Sequence, residues 1–311
     1  MDSEQEVNAQ GAVSIPTKLN EKLKDIDEAA KKLEDALECQ VILLIFHHPI
    51  YITKDVVDDL EFYIRERGIK ENKDVCIVLH SLGGDADAAY HIGIRLQEIT
   101  KNKKLIIVVP RIAKSAGTLL ACSGDIIYAT PITELGPVDP QVFLPSTGQW
   151  VSAKTIKDSL KQAIEIITEM EIKDQTIIQA ILSSIPIAEM GHFKSLLDHV
   201  KGLLKDLLTR KMMHEQGTID DVAEKLVTEY EYHGKVIHVN EAQSMGLTIT
   251  VLEGEKLNAV YELYKKLKDL FNTVDELIGP LQYLPQLAPP TPQRPYKIQH
   301  GLIYLPPLTT T

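Results

Sequence analysis

The chain has 311 residues, of which 44% are hydrophobic and 25% are charged, as in ordinary soluble globular proteins. This length allows one large domain with appendages or two modest domains. The formal net charge of −11 at pH 7 has the wrong sign for sequence-independent binding to nucleic acid or to an anionic membrane. We therefore predict that nucleic acid is not a partner of this chain.

Neither the first residues nor the longest apolar run carries a targeting or membrane signal. Residues 1–20 lack the basic and apolar regions of a signal peptide, and the apolar run at 41–52 is too short to cross a bilayer. Cys39, Cys76 and Cys122 form no C-x-x-C pair, so we expect buried free thiols in a reducing compartment. These features predict a cytoplasmic protein without an integral membrane segment.

Apolar runs and helix signals alternate along the first part of the chain. A heavily charged amphipathic helix is predicted at 17–38, as a surface or partner-facing element. The predicted strands that follow are 39–46, 74–81, 104–110 and 125–130, and the predicted helices between them are 53–68, 85–100 and 114–124. Strands and helices that alternate with short connections indicate an α/β domain with a largely parallel sheet.

The second half of the chain is predicted to be mostly helical. Between 152 and 229 we expect helices with breaks near 184–191 and 216–221. A strand, a short helix and a strand follow in 234–253, and then a final amphipathic helix at 255–274. The proline-rich remainder, 280–311, is predicted to be an extended arm that is either disordered or laid on a neighbouring subunit.

Two glycine-marked turns follow the central predicted strands. In HSLGGD, Gly83 and Gly84 allow the backbone to bend and bring bare N–H groups close to a ligand. In AKSAG, Ser115 begins a helix and is followed by Ala116. If the two strands are neighbours, both turns meet at the carboxyl end of the sheet, where such folds bind ligands. A nucleophile and two amide donors would then share one cavity, as a tetrahedral oxyanion requires.

Each turn alone also has an ordinary structural interpretation. A serine at a helix start is usually a cap, and a double glycine is usually only a turn. The two together, one strand–turn–helix unit apart, favour a functional site.

The motifs around these turns resemble a known superfamily. HSLGGDADAAYHIGIRL, followed by PRIAKSAGTLLACSGDIIYATPITELGPVDPQ and the late HGKVIHVNEAQSMGL, is similar to the Clp-protease and crotonase superfamily. Within it, the chain resembles the serine dehydrogenase proteinase family, which is related to the signal peptide peptidase type. The resemblance implies an α/β fold of repeated strand–strand–helix units with a largely parallel sheet. It also implies a nucleophile at Ser115 and an oxyanion hole from Gly84 and Ala116, with Gly83 in the same turn.

The same resemblance suggests how the chain is divided. We expect a polar segment and amphipathic helix at 1–37, a ClpP/crotonase-like catalytic domain at 38–252, a helix at 253–279 and a proline-rich tail at 280–311.

The general base is not decided by the sequence. No histidine occurs between Ser115 and His192, which excludes the Clp-protease order of serine then histidine. The family resemblance implies the order Ser, Asp, His, with Asp139 as the orienting carboxylate and His233 as the base. His238 is a weaker candidate for the same role.

A Ser–Lys dyad, as in signal peptide peptidase-like enzymes, is the alternative. Lys154 stands at the start of a predicted helix, and it would have to be desolvated to lose its proton. Lys114, next to the nucleophile, is expected to point away from it and to offer its charge to the oxyanion or to an acidic product.

Three further histidines lie near the predicted carboxyl edge. His47, His48 and His80 come without an H-E-x-x-H motif or a cysteine–histidine spacing, so neither a metal nor another cofactor is predicted. We expect hydrogen-bonded structural histidines, one of which could line a substrate groove.

The leading hypothesis is therefore a serine peptidase that acts on a peptide or protein substrate. The alternatives are a crotonase-like acyl-CoA enzyme and a non-catalytic assembly module of the same fold. The resemblance also implies a homo-oligomer, with the two terminal helices and the proline-rich arm as contact elements.

Overall fold

The computed structural model describes residues 15–144, 148–183, 187–278 and 294–307. In chain order, the strands are β1 (Gln40–Phe46), β2 (Val75–His80), β3 (Leu105–Val109), β4 (Ile112–Ala113), β5 (Ile126–Ala129), β6 (Glu134–Leu135), β7 (Gln141–Leu144), β8 (Gln149–Ser152), β9 (Ile237–His238), β10 (Ile249–Val251), β11 (Tyr296–Ile298) and β12 (Gly301–Tyr304).

The helices follow the alternation that the sequence predicts. They are α1 (Ile15–Leu37), α2 (Lys54–Arg67), α3 (Ala86–Ile99), α4 (Ala116–Ala121), α5 (Ala153–Glu169), α6 (Gln175–Ser183), α7 (Ile187–Leu207), α8 (Gln216–Glu224), α9 (Val239–Met245) and α10 (Gly254–Ile278). Two π-helical segments, Leu208–Met212 and Lys225–Glu229, continue α7 and α8.

A seven-stranded sheet in the order β10–β5–β3–β2–β1–β12–β11 forms the centre. All neighbouring strands pair in parallel except β11, which is antiparallel to β12. The largely parallel α/β fold is thus confirmed. Parallel sheets of this kind are covered on both faces, which explains why β1 to β3 are unbroken apolar runs.

The two faces of the sheet are covered by different helices. Along β1, Ile42 and Leu44 belong to a core shared with α2, α3, α4, α7 and α8, while Leu43 and Ile45 belong to a core shared with α1 and α10. Helix α1 packs along α10 and buries its apolar positions there. The apolar stripe of this helix is therefore covered by the same chain, while its charged positions lie at the surface, as predicted for a surface helix.

Part of the predicted proline-rich tail joins the central sheet of the same chain. Strand β12 adds to β1 in parallel, with Leu44 beside Leu302, and β11 folds back on β12. Residues 301–304 therefore do not form a free arm, because GLIY is an apolar run that gains a sheet partner. The rest of the predicted tail, 280–293 and 308–311, lies outside the described residues.

The cysteine prediction is wrong for two of the three residues. Cys39 and Cys76 form a disulfide between the start of β1 and the neighbouring β2, with their Cα atoms 6.1 Å apart. Cys122 is free and buried, and burial raises the pKa of its thiol to about 12. Linear spacing missed the bond because the residues become neighbours only when β1 and β2 pair.

One predicted helix break is displaced. The segment 216–221 is helical within α8, and the interruption falls at 213–215 instead. Ile219, Val222 and Ala223 are buried on one helical face, and this packing outweighs the helix-weakening effect of Gly217.

Among the described residues, no helix has both the length and the apolarity needed to cross a membrane.

Candidate active site

A small three-stranded sheet brings three chemically active side chains to one place. Strand β4 pairs in parallel with β6, and β6 pairs antiparallel with β9. Ser115 comes just after β4, Asp139 comes shortly after β6, and His233 comes shortly before β9. Because β9 runs in the opposite direction, its leading residues lie at the same end as the trailing residues of β4 and β6. The sheet therefore places all three residues at one end.

Asp139 and His233 are in direct contact. Asp139 is only 3% exposed, and its Oδ1 accepts a hydrogen bond of 2.7 Å from Nδ1–H of His233, whose side chain is 33% exposed. Gln141 Nε2 donates to the other carboxylate oxygen, Oδ2, at 2.7 Å. An ionised carboxylate can only accept, so this contact keeps the proton on Nδ1 and leaves Nε2 of His233 as the basic nitrogen.

Ser115 does not cap the helix that it begins. Its backbone has φ 50° and ψ −121°, a left-handed conformation that is costly for a residue other than glycine, and its side chain makes no capping hydrogen bond. The half-buried hydroxyl has no hydrogen-bond partner among the residues that the structure describes. A strained serine at a strand-to-helix turn presents its hydroxyl outward, as nucleophilic serines at such turns do.

The two glycine-marked turns meet, as predicted. Strands β2 and β3 are neighbours in the main sheet. A methyl group on Gly83 would lie 2.8 Å from Cβ of Ser115 and 3.4 Å from the amide nitrogen of Ala116, so the backbone of the first turn rests against the second. Only glycine allows this approach.

Two backbone amides remain available beside the serine. The Gly83 amide is used, because it donates to Ser81 Oγ at 3.0 Å. The amides of Gly84 and Ala116 make no hydrogen bond within the described part of the chain. A methyl group on Gly84 would lie 2.2 Å from the carbonyl oxygen of Ile52, so this residue also has to be glycine.

Lys154 is near the site but is paired with a carboxylate. Helix α5 begins beside the Asp139 loop, since Ala153 N–H donates to the carbonyl of Pro140 at 2.9 Å. The ammonium of Lys154 lies 3.3 Å from Asp158 Oδ2 and its side chain is 23% exposed. The amine that a Ser–Lys dyad would use as its base is therefore engaged in an ion pair with Asp158.

Lys114, between β4 and Ser115, connects this segment to the loop that contains His233. Its Nζ donates to the carbonyl of Lys235 at 3.2 Å and lies 3.5 Å from Glu134 Oε2. Burial lowers the pKa of this ammonium, and Glu134 opposes the shift. This contact has no signature in the sequence, because it joins Lys114 to Lys235, a residue 121 positions further along the chain and two residues beyond the candidate base.

The other candidate histidines do not join this group. His47 Nε2 bonds to Asp275 Oδ1 at 2.8 Å and its ring stacks on Phe271. His80 packs against Phe271 too, and burial lowers its pKa to about 4. His238 is exposed and lies opposite Glu134 in the small sheet. Within the described ranges, no cluster of three or more histidine, cysteine or acidic residues could hold a metal ion.

This geometry agrees with a family match. The model of the ClpP-like SDH-type serine proteinases matches residues 18–287, which is most of the chain. The protein therefore belongs to this family of serine proteinases, as the resemblance of its motifs implied.

Two relatives and two solved structures are similar to this chain. An uncharacterized protein of Methanocaldococcus jannaschii is 29% identical over 223 residues, covering 71% of this chain and 69% of the relative. A second uncharacterized protein of the same organism is 26% identical over 216 residues, covering 70% of this chain and 65% of the relative. Two mutants of the 1510-N membrane-bound stomatin-specific protease, one with a bound substrate peptide, are each 20% identical with a TM-score of 0.41. The likeness covers 73% of this chain and 80% and 85% of the two solved chains, respectively.

Proposed function

We propose that this protein is a serine peptidase that hydrolyses peptide bonds through an acyl-enzyme on Ser115. In this proposal His233 is the general base and Asp139 orients its ring. The observation that carries the proposal is the part-buried Asp139–His233 hydrogen bond at the end of the small sheet where the strained, unbonded Ser115 also lies. Membership of a serine proteinase family supports the same reaction class.

The chemistry follows from these positions. Oγ of Ser115 attacks the substrate carbonyl carbon while Nε2 of His233 takes the hydroxyl proton. The carbonyl oxygen becomes an oxyanion, which accepts hydrogen bonds from the amides of Gly84 and Ala116. The C–N bond then breaks, and the leaving amine takes the proton from His233. Water, deprotonated by the same histidine, then attacks the ester carbonyl carbon. The ester C–O bond breaks, the histidine returns the proton to Oγ of Ser115, and the acid leaves.

Asp139 and the oxyanion donors contribute to the proposed reaction in different ways. Asp139 stabilises the imidazolium that forms during the reaction and keeps Nε2 directed away from the carboxylate. Each oxyanion donor is worth about 10²–10³ in rate in comparable enzymes. The Ser115 hydroxyl is not bonded to His233 in this structure, and such catalytic contacts often tighten only when substrate is bound.

The two alternative chemistries receive less support. A Ser115–Lys154 dyad requires a neutral amine, whereas Lys154 is paired with Asp158 at 3.3 Å. A crotonase-like acyl-CoA enzyme would use the amide donors without a nucleophile. Backbone strain at Ser115 of about 1–3 kcal/mol would then serve no purpose, since strain of that size is normally kept at sites where the reacting group is needed.

We also propose that the chain forms a homo-oligomer, through a surface other than the predicted one. The apolar faces of its two terminal helices pack on each other and on its own sheet. The β7–β8 hairpin, helices α5 and α6 and the turn between these helices instead expose several large apolar side chains: Phe143, Trp150, Ile164, Ile166, Met170 and Ile177. Exposed apolar groups concentrated in one region are typical of protein interaction surfaces. Sedimentation of wild type and of Ile164→Ser tests this, since a monomeric wild type contradicts it.

An active-site probe tests the catalytic proposal without a known substrate. A fluorophosphonate should label the wild-type protein on the peptide that contains Ser115, and Ser115→Ala should not be labelled. Absence of labelling in the wild type, or equal labelling of both proteins, contradicts the proposal. Saturable binding of a CoA thioester in place of labelling would favour the crotonase-like alternative.

A further inference from the structure

Ser81 links the glycine turn to the strand that carries the nucleophile. It is fully buried immediately after β2 and forms a parallel bridge with Ala113 at the end of β4. Its N–H donates to the carbonyl of Ile112 at 3.1 Å, and its carbonyl accepts from the N–H of Lys114 at 3.0 Å. The backbone of Ser81 therefore holds the first turn in register with the residue that precedes Ser115.

The hydroxyl of Ser81 occupies both polar groups of Gly83. Its Oγ accepts from the Gly83 N–H at 3.0 Å and donates to the Gly83 carbonyl at 3.3 Å. The same carbonyl accepts from the N–H of Ile52 at 2.8 Å. Serine side chains commonly bond to the backbone two residues ahead and so define a turn. Here the bond satisfies Gly83 and leaves Gly84 as the free donor of the glycine pair.

The surroundings give this side chain little freedom. A methyl group on Gly117 would lie 3.3 Å from Cβ of Ser81 and 3.6 Å from its Oγ, so the start of α4 packs directly on the serine. On the other side, Gly83 rests against Ser115. A change in the Ser81 hydroxyl is therefore transmitted to the amide donors and not to the Asp139–His233 pair.

We propose that Ser81 is a positioning residue of the oxyanion hole. Its hydroxyl holds the Gly83 peptide so that the Gly84 amide is presented to the developing oxyanion beside Ser115. This inference rests on the proposed peptidase function, which it deepens by adding a residue that touches neither substrate nor nucleophile.

The variants Ser81→Ala and Ser81→Thr test the role of the hydroxyl. With labelled casein as substrate, Ser81→Ala should lower kcat by about 10-fold or more, because an imperfectly placed oxyanion donor loses much of its value. KM should stay within about twofold, because the effect falls on the transition state. A peptide aldehyde, which forms a tetrahedral adduct with the serine, should bind more weakly by a factor similar to the loss in kcat. Ser81→Thr keeps the hydroxyl and should recover most of kcat.

Two controls separate positioning from folding. Activity is expressed per Ser115 titrated to completion with fluorophosphonate, so that misfolded molecules do not count. Ser123→Ala removes another fully buried serine hydroxyl, one without a hydrogen-bond partner in the described structure, and should leave kcat unchanged. The pH dependence of kcat should be the same in Ser81→Ala and wild type, since His233 is untouched.

The outcomes distinguish this inference from the function on which it rests. If Ser115→Ala is inactive while Ser81→Ala keeps wild-type kcat, or changes only KM, the positioning role is wrong and the peptidase proposal stands. If Ser123→Ala loses as much kcat as Ser81→Ala, the effect is structural and the inference also fails. If Ser115→Ala hydrolyses casein normally, both proposals fail together.

Discussion

Two serines in the described part of the chain directly precede helices, and their backbone conformations and hydrogen bonds differ. Ser152, before α5, has φ −60° and ψ 132°, and its Oγ accepts a hydrogen bond of 3.2 Å from the N–H of Lys154. Ser115, before α4, has φ 50° and ψ −121° and caps nothing. The first is an ordinary N-cap, and the second keeps a free hydroxyl. Residue type and position on the helix are the same, so the backbone conformation decides the role.

The difference has a cause in the surrounding contacts. Ser115 is held from one side by the pairing of β4 with β6 and from the other by the close approach of Gly83. A conformation that costs about 1–3 kcal/mol persists only when such contacts over-determine it. Ser152 ends a two-stranded hairpin that imposes no comparable constraint, and it adopts the extended conformation that suits a cap.

The largest expected effect tests whether the two serines differ in function. Ser115→Ala should lower casein hydrolysis by at least about 10⁴-fold, because removal of the nucleophile from a triad has effects of this size or larger. Its free energy of unfolding should stay within about 0.5 kcal/mol of wild type, because the lost hydroxyl makes no hydrogen bond.

Ser152→Ala is the matched control and should show the reverse pattern. Hydrolysis should be unchanged, while the free energy of unfolding in urea falls by about 1 kcal/mol through loss of the cap. If the alanine variants at 115 and 152 behave alike in both assays, the contrast between the two helix starts has no functional meaning.

A second experiment tests whether the general base is His233 or Lys154, the lysine at the start of α5. His233→Ala should lower hydrolysis by about 10³-fold or more, whereas Lys154→Ala should stay within about twofold of wild type, because a base acts only within hydrogen-bond reach of the hydroxyl. Initial rates on labelled casein give both values. Full activity in His233→Ala together with loss of activity in Lys154→Ala would reverse the assignment and favour the dyad.

The smallest expected effect concerns backbone strain alone. Ser115→Gly should raise the free energy of unfolding by about 1 kcal/mol, because glycine adopts positive φ at little cost. Ser152→Gly should lower it by a few tenths of a kcal/mol, since glycine is a weaker N-cap than serine. Urea unfolding of the two glycine variants provides the comparison, and a loss of stability in Ser115→Gly would contradict the strain argument.

Much of the fold could be read from local pattern. Unbroken apolar runs between capped amphipathic segments predicted β1 to β3 and the helices between them, because burial on both faces requires such runs. The meeting of the two glycine turns was also predictable, because neighbouring parallel strands end at the same edge of a sheet. Gly83 against Ser115 confirms this.

The errors came from contacts between distant segments. Pairing of β12 with β1 and the Cys39–Cys76 bond join residues whose proximity has no local signature. The packing of α1 on α10 also has no local signature, since an amphipathic stripe shows that a helix face is buried but not which segment covers it. The contacts of Lys114 with Lys235 and of Ser81 with Gly83 were not predicted either. The two-residue spacing of Ser81 from Gly83 is nevertheless typical of a serine turn.

The amino-acid sequence by itself determined the α/β architecture, the required glycines and a serine at the start of a short helix, because each depends on periodicity or on the backbone freedom of single residues. Tertiary structure decided that this serine is strained and uncapped, and that Asp139 lies against His233. The physical reason is that a catalytic geometry depends on distances between segments far apart in the chain, and those distances exist only after the small β4–β6–β9 sheet has formed.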